Sequence, residues 1–188
     1  MSSCSAMSWR AAVEAEARFT DCVTAIPGEE LVPLLVEALG SLTSRRMALR
    51  ILFGAAASLT SEVLPALEPL LLVSHTYLFH CRDLVRRLPR EGQHRFLSDL
   101  TEKVIADPDS DYEAYRRLAE FLKEVRMWEV LEVLNNAARA SEDPDIREVG
   151  MDFEVPAPHG TVPPPDYHGP GGSAHDYPTP RHKNDGRA

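Results

Sequence analysis

Residues 31–40 read LVPLLVEALG, and residues 63–72 read VLPALEPLLL. Laid over one another at an offset of about 32 residues, Pro33 falls on Pro65, and Leu31, Val32, Leu35 and Leu39 fall on Val63, Leu64, Leu67 and Leu71. Another step of similar length reaches RFLSDLTEKV from Arg95, and a further one reaches MWEVLEVLNN from Met127. Identities are sparse, but the apolar pattern persists. An internal period of this length is the signature of stacked repeats, each too small to bury its own apolar face.

Each period has room for two helices. First helices, here called A, are expected at about 29–41, 61–73, 91–106 and 127–140, and second helices, B, at about 44–57, 75–88, 110–125 and 144–153. The boundaries carry their own signals. Ser110 and Glu113 form a Ser-x-x-Glu capping box for the third B helix. Thr60 or Ser61 is placed to cap the second A helix, with Glu62 at its positive end. Asp143 before Pro144 reads as an N-cap followed by proline at the first helical position. Three B helices are amphipathic: Met47, Leu49, Ile51, Leu52 and Ala55 make one apolar face, Tyr77, Leu78, Cys81, Leu84, Val85 and Leu88 the next, and Tyr115, Leu118, Ala119, Leu122 and Val125 the third. A leading helix at about 8–24 sets Trp9, Val13, Ala17, Phe19, Val23 and Ile26 at helical spacing and is expected to cover the first repeat. The last B helix has only Ile146, Val149 and Phe153 to bury before Pro156, with Gly150 weakening its middle; it reads as the terminal helix, cut short where stacking ends.

Paired helices, a proline inside the first helix (Pro33, Pro65) and a second helix opening with Arg45, Arg46 and Ala48 resemble the HEAT-like repeat family. The stretch Asp143-Pro144-Asp145-Ile146-Arg147-Glu148-Val149 is similar to that family's turn and second helix. The resemblance covers about residues 29–153, with a period shorter than the usual HEAT unit. It implies an all-α fold: a short α-solenoid of about four helix pairs plus the N-terminal helix, of a kind that binds partners, usually proteins. It supplies no catalytic residues.

Two segments of unlike composition follow one another. Residues 1–153 hold the helical repeat pattern. From Glu154 to Ala188 there is no Leu, Ile, Met, Phe or Trp, and about half of the chain's 15 prolines fall there. Such a segment cannot bury enough apolar surface to offset its chain entropy, so a disordered tail is expected over 154–188. Within it, Pro164-Pro165-Asp166-Tyr167 matches a polyproline-type ligand, although a low-complexity tail is the better reading. His159, His168, His175 and His182 are too dispersed for a chelating tract.

Composition narrows the function. A net charge of −9 disfavours nucleic-acid binding. The start, MSSCSAMSWRAAVEAEARF, lacks the apolar core of a secretory signal. The longest apolar stretch, near VLPALEPLLLV, is too short and broken to span a bilayer, so no membrane partner is expected. Cys4, Cys22 and Cys81 are few, odd in number and widely spaced, as free thiols in a reducing cytoplasm would be. Basic residues are overwhelmingly arginine, the bias that GC-rich coding produces in bacteria. His75, His80, Cys81 and His94 share one window, but their spacing is poor for convergent ligation, so neither metal nor cofactor is expected. No nucleophile, phosphate-loop or dinucleotide motif is present, and the expectation is a non-enzyme.

The arginines suggest where a partner would bind. Arg46 and Arg50 share a helix face, Arg82 and Arg86 do the same, and Arg50 to Arg82 is one period. These four are the candidate partner-binding residues, a basic strip on the B surface near the first two repeats. The expected role is a cytoplasmic protein-interaction module recognising a protein partner along one helix surface. The alternatives are an immunity or antitoxin-type inhibitor whose acidic A surface masks a basic toxin, and a HEAT-like enzyme acting on a prosthetic group or a DNA base.

Overall fold

A computed structural model describes residues 3–55 and 57–155, all within the unit Met1–Val155. The proline-rich tail, with its Pro164–Tyr167 motif and its histidines, lies outside the described residues. Among the described residues the chain is all-helical. In order, α1 is Ser3–Thr24, α2 Gly28–Gly40, α3 Arg45–Gly54, α4 Ala57–Leu72, α5 Leu78–Arg86, α6 Arg90–Ala106, α7 Tyr112–Glu124, α8 Trp128–Arg139 and α9 Pro144–Asp152. The A helices are thus α2, α4, α6 and α8, and the B helices α3, α5, α7 and α9.

One apolar cluster runs through the unit. It takes Leu35 and Leu39 from α2, Leu49 and Leu52 from α3, Leu67 and Leu71 from α4, Leu84 and Val85 from α5, Leu97 and Leu100 from α6, Phe121 and Leu122 from α7, Leu131 and Leu134 from α8, and Val149 from α9. Fully burying one such side chain stabilises the fold by about 1.5–3 kcal/mol, so the amphipathic faces hold the helices together. α2 packs on α3 and α4, α4 on α5, α6 on α7 and α8, α8 on α9, and α3 and α7 on α5 and α9 respectively. α4 also packs against α7, which lies between α6 and α9 in the contact pattern.

The boundaries show where local reading succeeds. α9 starts as the sequence predicts: Asp143 Oδ1 accepts the Asp145 N–H at 2.8 Å, and Pro144 occupies the first turn. At α7 the cap is Asp111, not Ser110, because Asp111 Oδ1 accepts the Ala114 N–H at 2.9 Å. Glu113 does not fold back as a capping box requires; its Oε1 accepts the Ser74 N–H at 2.7 Å, from the loop before α5. α4 begins at Ala57, so Thr60 and Ser61 lie inside it; Thr60 is buried, and Ser61 Oγ donates to the Ser58 carbonyl. Proline at the first turn of a helix costs nothing, but Pro33, Pro65 and Pro69 sit inside α2 and α4, where each removes a ladder hydrogen bond.

α7 ends in a tight reversal. Arg126 has φ 58°, the Arg126 N–H donates to the Lys123 carbonyl at 3.2 Å, and the Met127 N–H donates to the Leu122 carbonyl at 2.9 Å. These two bonds make a Schellman closure with arginine where glycine is usual. Buried Met127 then launches α8.

Two expectations about burial fail. Met47, which the pattern assigns to the core face, is exposed. The spacing of Trp9, Val13 and Ala17 predicts a covered face on α1, yet all three are exposed, and burial along α1 begins only at Phe19, continuing at Val23 and Ile26. The apolar period marks a face; it does not say how far along the helix that face meets a neighbour.

Candidate interaction surfaces

The arginines of α3 and α5, and those at the α5–α6 junction, lie mostly against their own chain. Arg45 Nε donates to the Leu39 carbonyl at 2.8 Å, tying α3 to α2. Arg87 Nη1 donates to the Phe53 carbonyl at 2.6 Å, and its guanidinium lies over the Phe53 ring. Arg90 reaches the Val125 and Arg126 carbonyls, at 2.9 and 3.3 Å, which the reversal after α7 leaves open. Charged donors to a main-chain carbonyl make stronger bonds than neutral ones, so these arginines act as staples between helices.

The four candidate residues divide accordingly. Arg82 is buried, its side chain 8% exposed; Nη2 donates to the Arg117 carbonyl at 2.8 Å, Glu120 and Glu124 lie at 3.4 and 3.5 Å, and the Phe121 ring packs beneath. Arg86 pairs with Asp83 on its own helix and with Glu124 of α7. Arg50 pairs with Glu16 of α1 and stacks over Phe19. Arg46 alone is exposed and, among the described residues, unpaired. The structure therefore does not bring the four into one open strip. Arg82 stands inside the α5–α7 junction, and Arg50 and Arg86 are already neutralised.

The sequence could not show this because, Asp83 apart, the neutralising acids lie far away along the chain. Glu120 is 38 residues beyond Arg82. Glu120 does pair locally with Arg117, at 2.7 Å, and with Arg116, at 3.7 Å, but its carboxylate is shared with Arg82 as well.

The A side is different. Between α4 and α6 lies a cleft of about 730 Å³. Leu64, Pro65, Phe96 and Ala106 line it with apolar surface, and Glu68, Asp99 and Glu102 stand around them. Lys103 Nζ crosses the cleft to Glu68 at 2.7 Å. Asp99 and Glu102 are exposed and, among the described residues, have no ion-pair partner. A second groove of about 220 Å³ follows between α6 and α8, where Glu102 recurs beside Glu129, Val130 and Val133. Val133 is an exposed apolar side chain on the outer surface of α8. An apolar floor with unpaired carboxylates at its edge is suited to a basic, partly apolar segment.

His75, His80 and Cys81 take structural places. His75 Nδ1 accepts the Tyr77 N–H at 3.0 Å, which leaves the proton on Nε2 to donate to the Leu70 carbonyl at 2.8 Å. That brace shapes the α4–α5 loop. His80 meets the rings of Phe53 and Tyr77 edge-on. Burial pushes the Cys81 thiol up to about 11, so it stays protonated near neutrality. Among the described residues no three His, Cys, Asp or Glu side chains converge to hold a metal ion. No described helix is long and apolar enough to cross a membrane.

Comparison with protein-family models, curated proteins and solved structures gave no match.

Proposed function

We propose that the chain is a HEAT-like α-solenoid working as a non-catalytic protein-interaction module in the cytoplasm. Recognition is assigned to the A-side cleft between α4 and α6 rather than to the arginines of the B side. The observation that carries this is the unequal use of charge. Arg45, Arg82, Arg86 and Arg87 are engaged by neighbouring helices, whereas Asp99 and Glu102 stand unpaired beside a cleft with exposed Pro65 and half-buried Leu64 at its wall and buried Phe96 at its floor. The occupant is a protein segment that carries basic side chains and one apolar anchor. Inhibition of a basic toxin is the second reading, favoured by the same unpaired carboxylates and by the chain's charge of −9.

Selection of random helical peptides displayed against the full chain tests the surface. The selected ligands should be basic, weaken with added salt, and lose about tenfold or more in affinity when Asp99→Lys and Glu102→Lys are combined. Acidic ligands that survive this double change but are lost on Arg46→Glu would return recognition to the B side.

A further inference from the structure

The first half of α1 exposes the apolar side chains of Met7, Trp9 and Val13, which the other described residues do not cover. Trp9, Val13 and Val23, with the polar Glu16 and Thr20 between them, form a stripe along one face, recurring at alternating intervals of four and three residues as the a/d positions of paired helices do. Trp9 is 72% exposed and Val13 49%. The stripe leads into a hollow of about 460 Å³ between α1 and α3, lined by Phe19, Val23, Ile51 and Ala55. The Glu16–Arg50 ion pair forms one edge of it.

A projecting ring and a hollow on the same surface form a self-complementary set, as a two-fold interface requires. At 1.5 Å per residue, Trp9 lies about 16 Å along the helix from Thr20, which borders the hollow. Reversing a second α1 so that Trp9 lies level with Thr20 of the other copy sets Val13 level with Glu16. It also brings each Trp9 towards the other copy's hollow. In this register Arg10 is level with Phe19, Glu14 with Ala15 and Arg18 with Ala11, so no like charges lie level; the two Glu16 side chains come about 4.5 Å apart along the axis. Glu16, the one charge in the stripe, is already neutralised by Arg50.

We propose that α1 pairs antiparallel with α1 of a second copy of this chain, with Trp9 of each seated in the α1–α3 hollow of the other. Charge selects this occupant. A membrane surface favours a helix with a basic polar face, whereas α1 sets Arg10 and Arg18 against Glu14, Glu16 and Asp21. A basic protein is drawn to the unpaired acids beside α6. Two copies of a chain with charge −9 approach with least repulsion where the local charge is nearly balanced, and α1 is such a place.

The full chain, kept reduced because Cys22 is exposed, is examined by sedimentation equilibrium from about 1 to 100 μM. The mass should rise from 20.9 kDa towards twice that value. In Trp128→Phe, Trp9 is the remaining tryptophan of the two, and its emission should shift to shorter wavelength as the larger species forms. Val13→Glu should abolish the rise in mass while leaving helix content and the thermal midpoint of the dilute monomer unchanged. Ala55→Phe, which fills the hollow from the α3 side and leaves the α1 sequence unchanged, should weaken association about tenfold or more. A wild-type chain that stays at 20.9 kDa throughout overturns the proposal. So does a dimer that survives Val13→Glu, or a Trp9 shift that appears only with anionic phospholipid vesicles.

Discussion

The two terminal helices, α1 and α9, show what holds this fold in place. α9 is short, from Pro144 to Asp152, and contains a glycine. It is nevertheless locked in: Ile146, Val149 and Phe153 are buried, Asn135 Nδ2 donates to the Phe153 carbonyl, and Arg116 reaches Asp152 at 3.3 Å. α1 runs from Ser3 to Thr24 and is alanine-rich, yet its burial is confined to its C-terminal part, at Phe19 and Val23, with the Glu16–Arg50 pair beside them and Ile26 just beyond. Good helix propensity makes α1 a helix, and tertiary cover makes α9 part of the core. Gly150 sharpens the contrast. A Cβ there would lie 2.8 Å from the Asn135 carbonyl oxygen and 2.9 Å from the Arg139 nitrogen. The residue that weakens α9 as an isolated helix is the one that lets it lie directly on the α8 backbone.

The sharpest way to test the contrast is to cut the core beneath α9. Leu134→Ala should cost about 2–5 kcal/mol in chemical denaturation, since Leu134 is fully buried. Gly150→Ala should cost about 1–3 kcal/mol despite alanine's better helix propensity, because the clash is with main chain; a stabilised variant would show that α9 is not held against α8. Arg126→Gly should raise stability by about 1 kcal/mol, by removing a left-handed arginine from the reversal that leads into α8. At the other end, Trp9→Ala should change the stability of the dilute monomer by less than about 0.5 kcal/mol. Thiol labelling of Cys4→Ser compares the two regions in one molecule. Cys22 on α1 should react at once in native buffer, while Cys81, at about 11, has about one thiolate in a thousand molecules at pH 8 and should react only after unfolding. Equal labelling rates would mean that α5 opens as freely as α1.

Much of this architecture is legible in the sequence. The recurrence of Pro33 at Pro65, the amphipathic faces and the Asp143-Pro144 start all express local rules, and helices stand where those rules put them. The failures share a cause. Asp111 rather than Ser110 caps α7 because Glu113 is drawn away to Ser74, a contact across 39 residues. Arg82 looks like a surface charge until Glu120 and Glu124 are brought to it from α7. Trp9 and Val13 look like core residues until the neighbouring helices end short of them. Periodicity assigns a side chain to a face, but only packing decides what that face meets. The A-side cleft was illegible for the same reason, since no local signal shows that α4 and α6 leave a space between them.

The arginine staples also bear on how the chain reaches this structure. Arg87 to Phe53 spans 34 residues, Arg82 to Arg117 and Arg90 to Val125 span 35, and Arg116 to Asp152 spans 36. Each tie closes a loop about one repeat long, so none waits for the two ends of the chain to meet. Folding built from such short closures has low contact order and is fast. The closures around α7 and α9 make that end a natural starting point, and α1 the last helix to arrive.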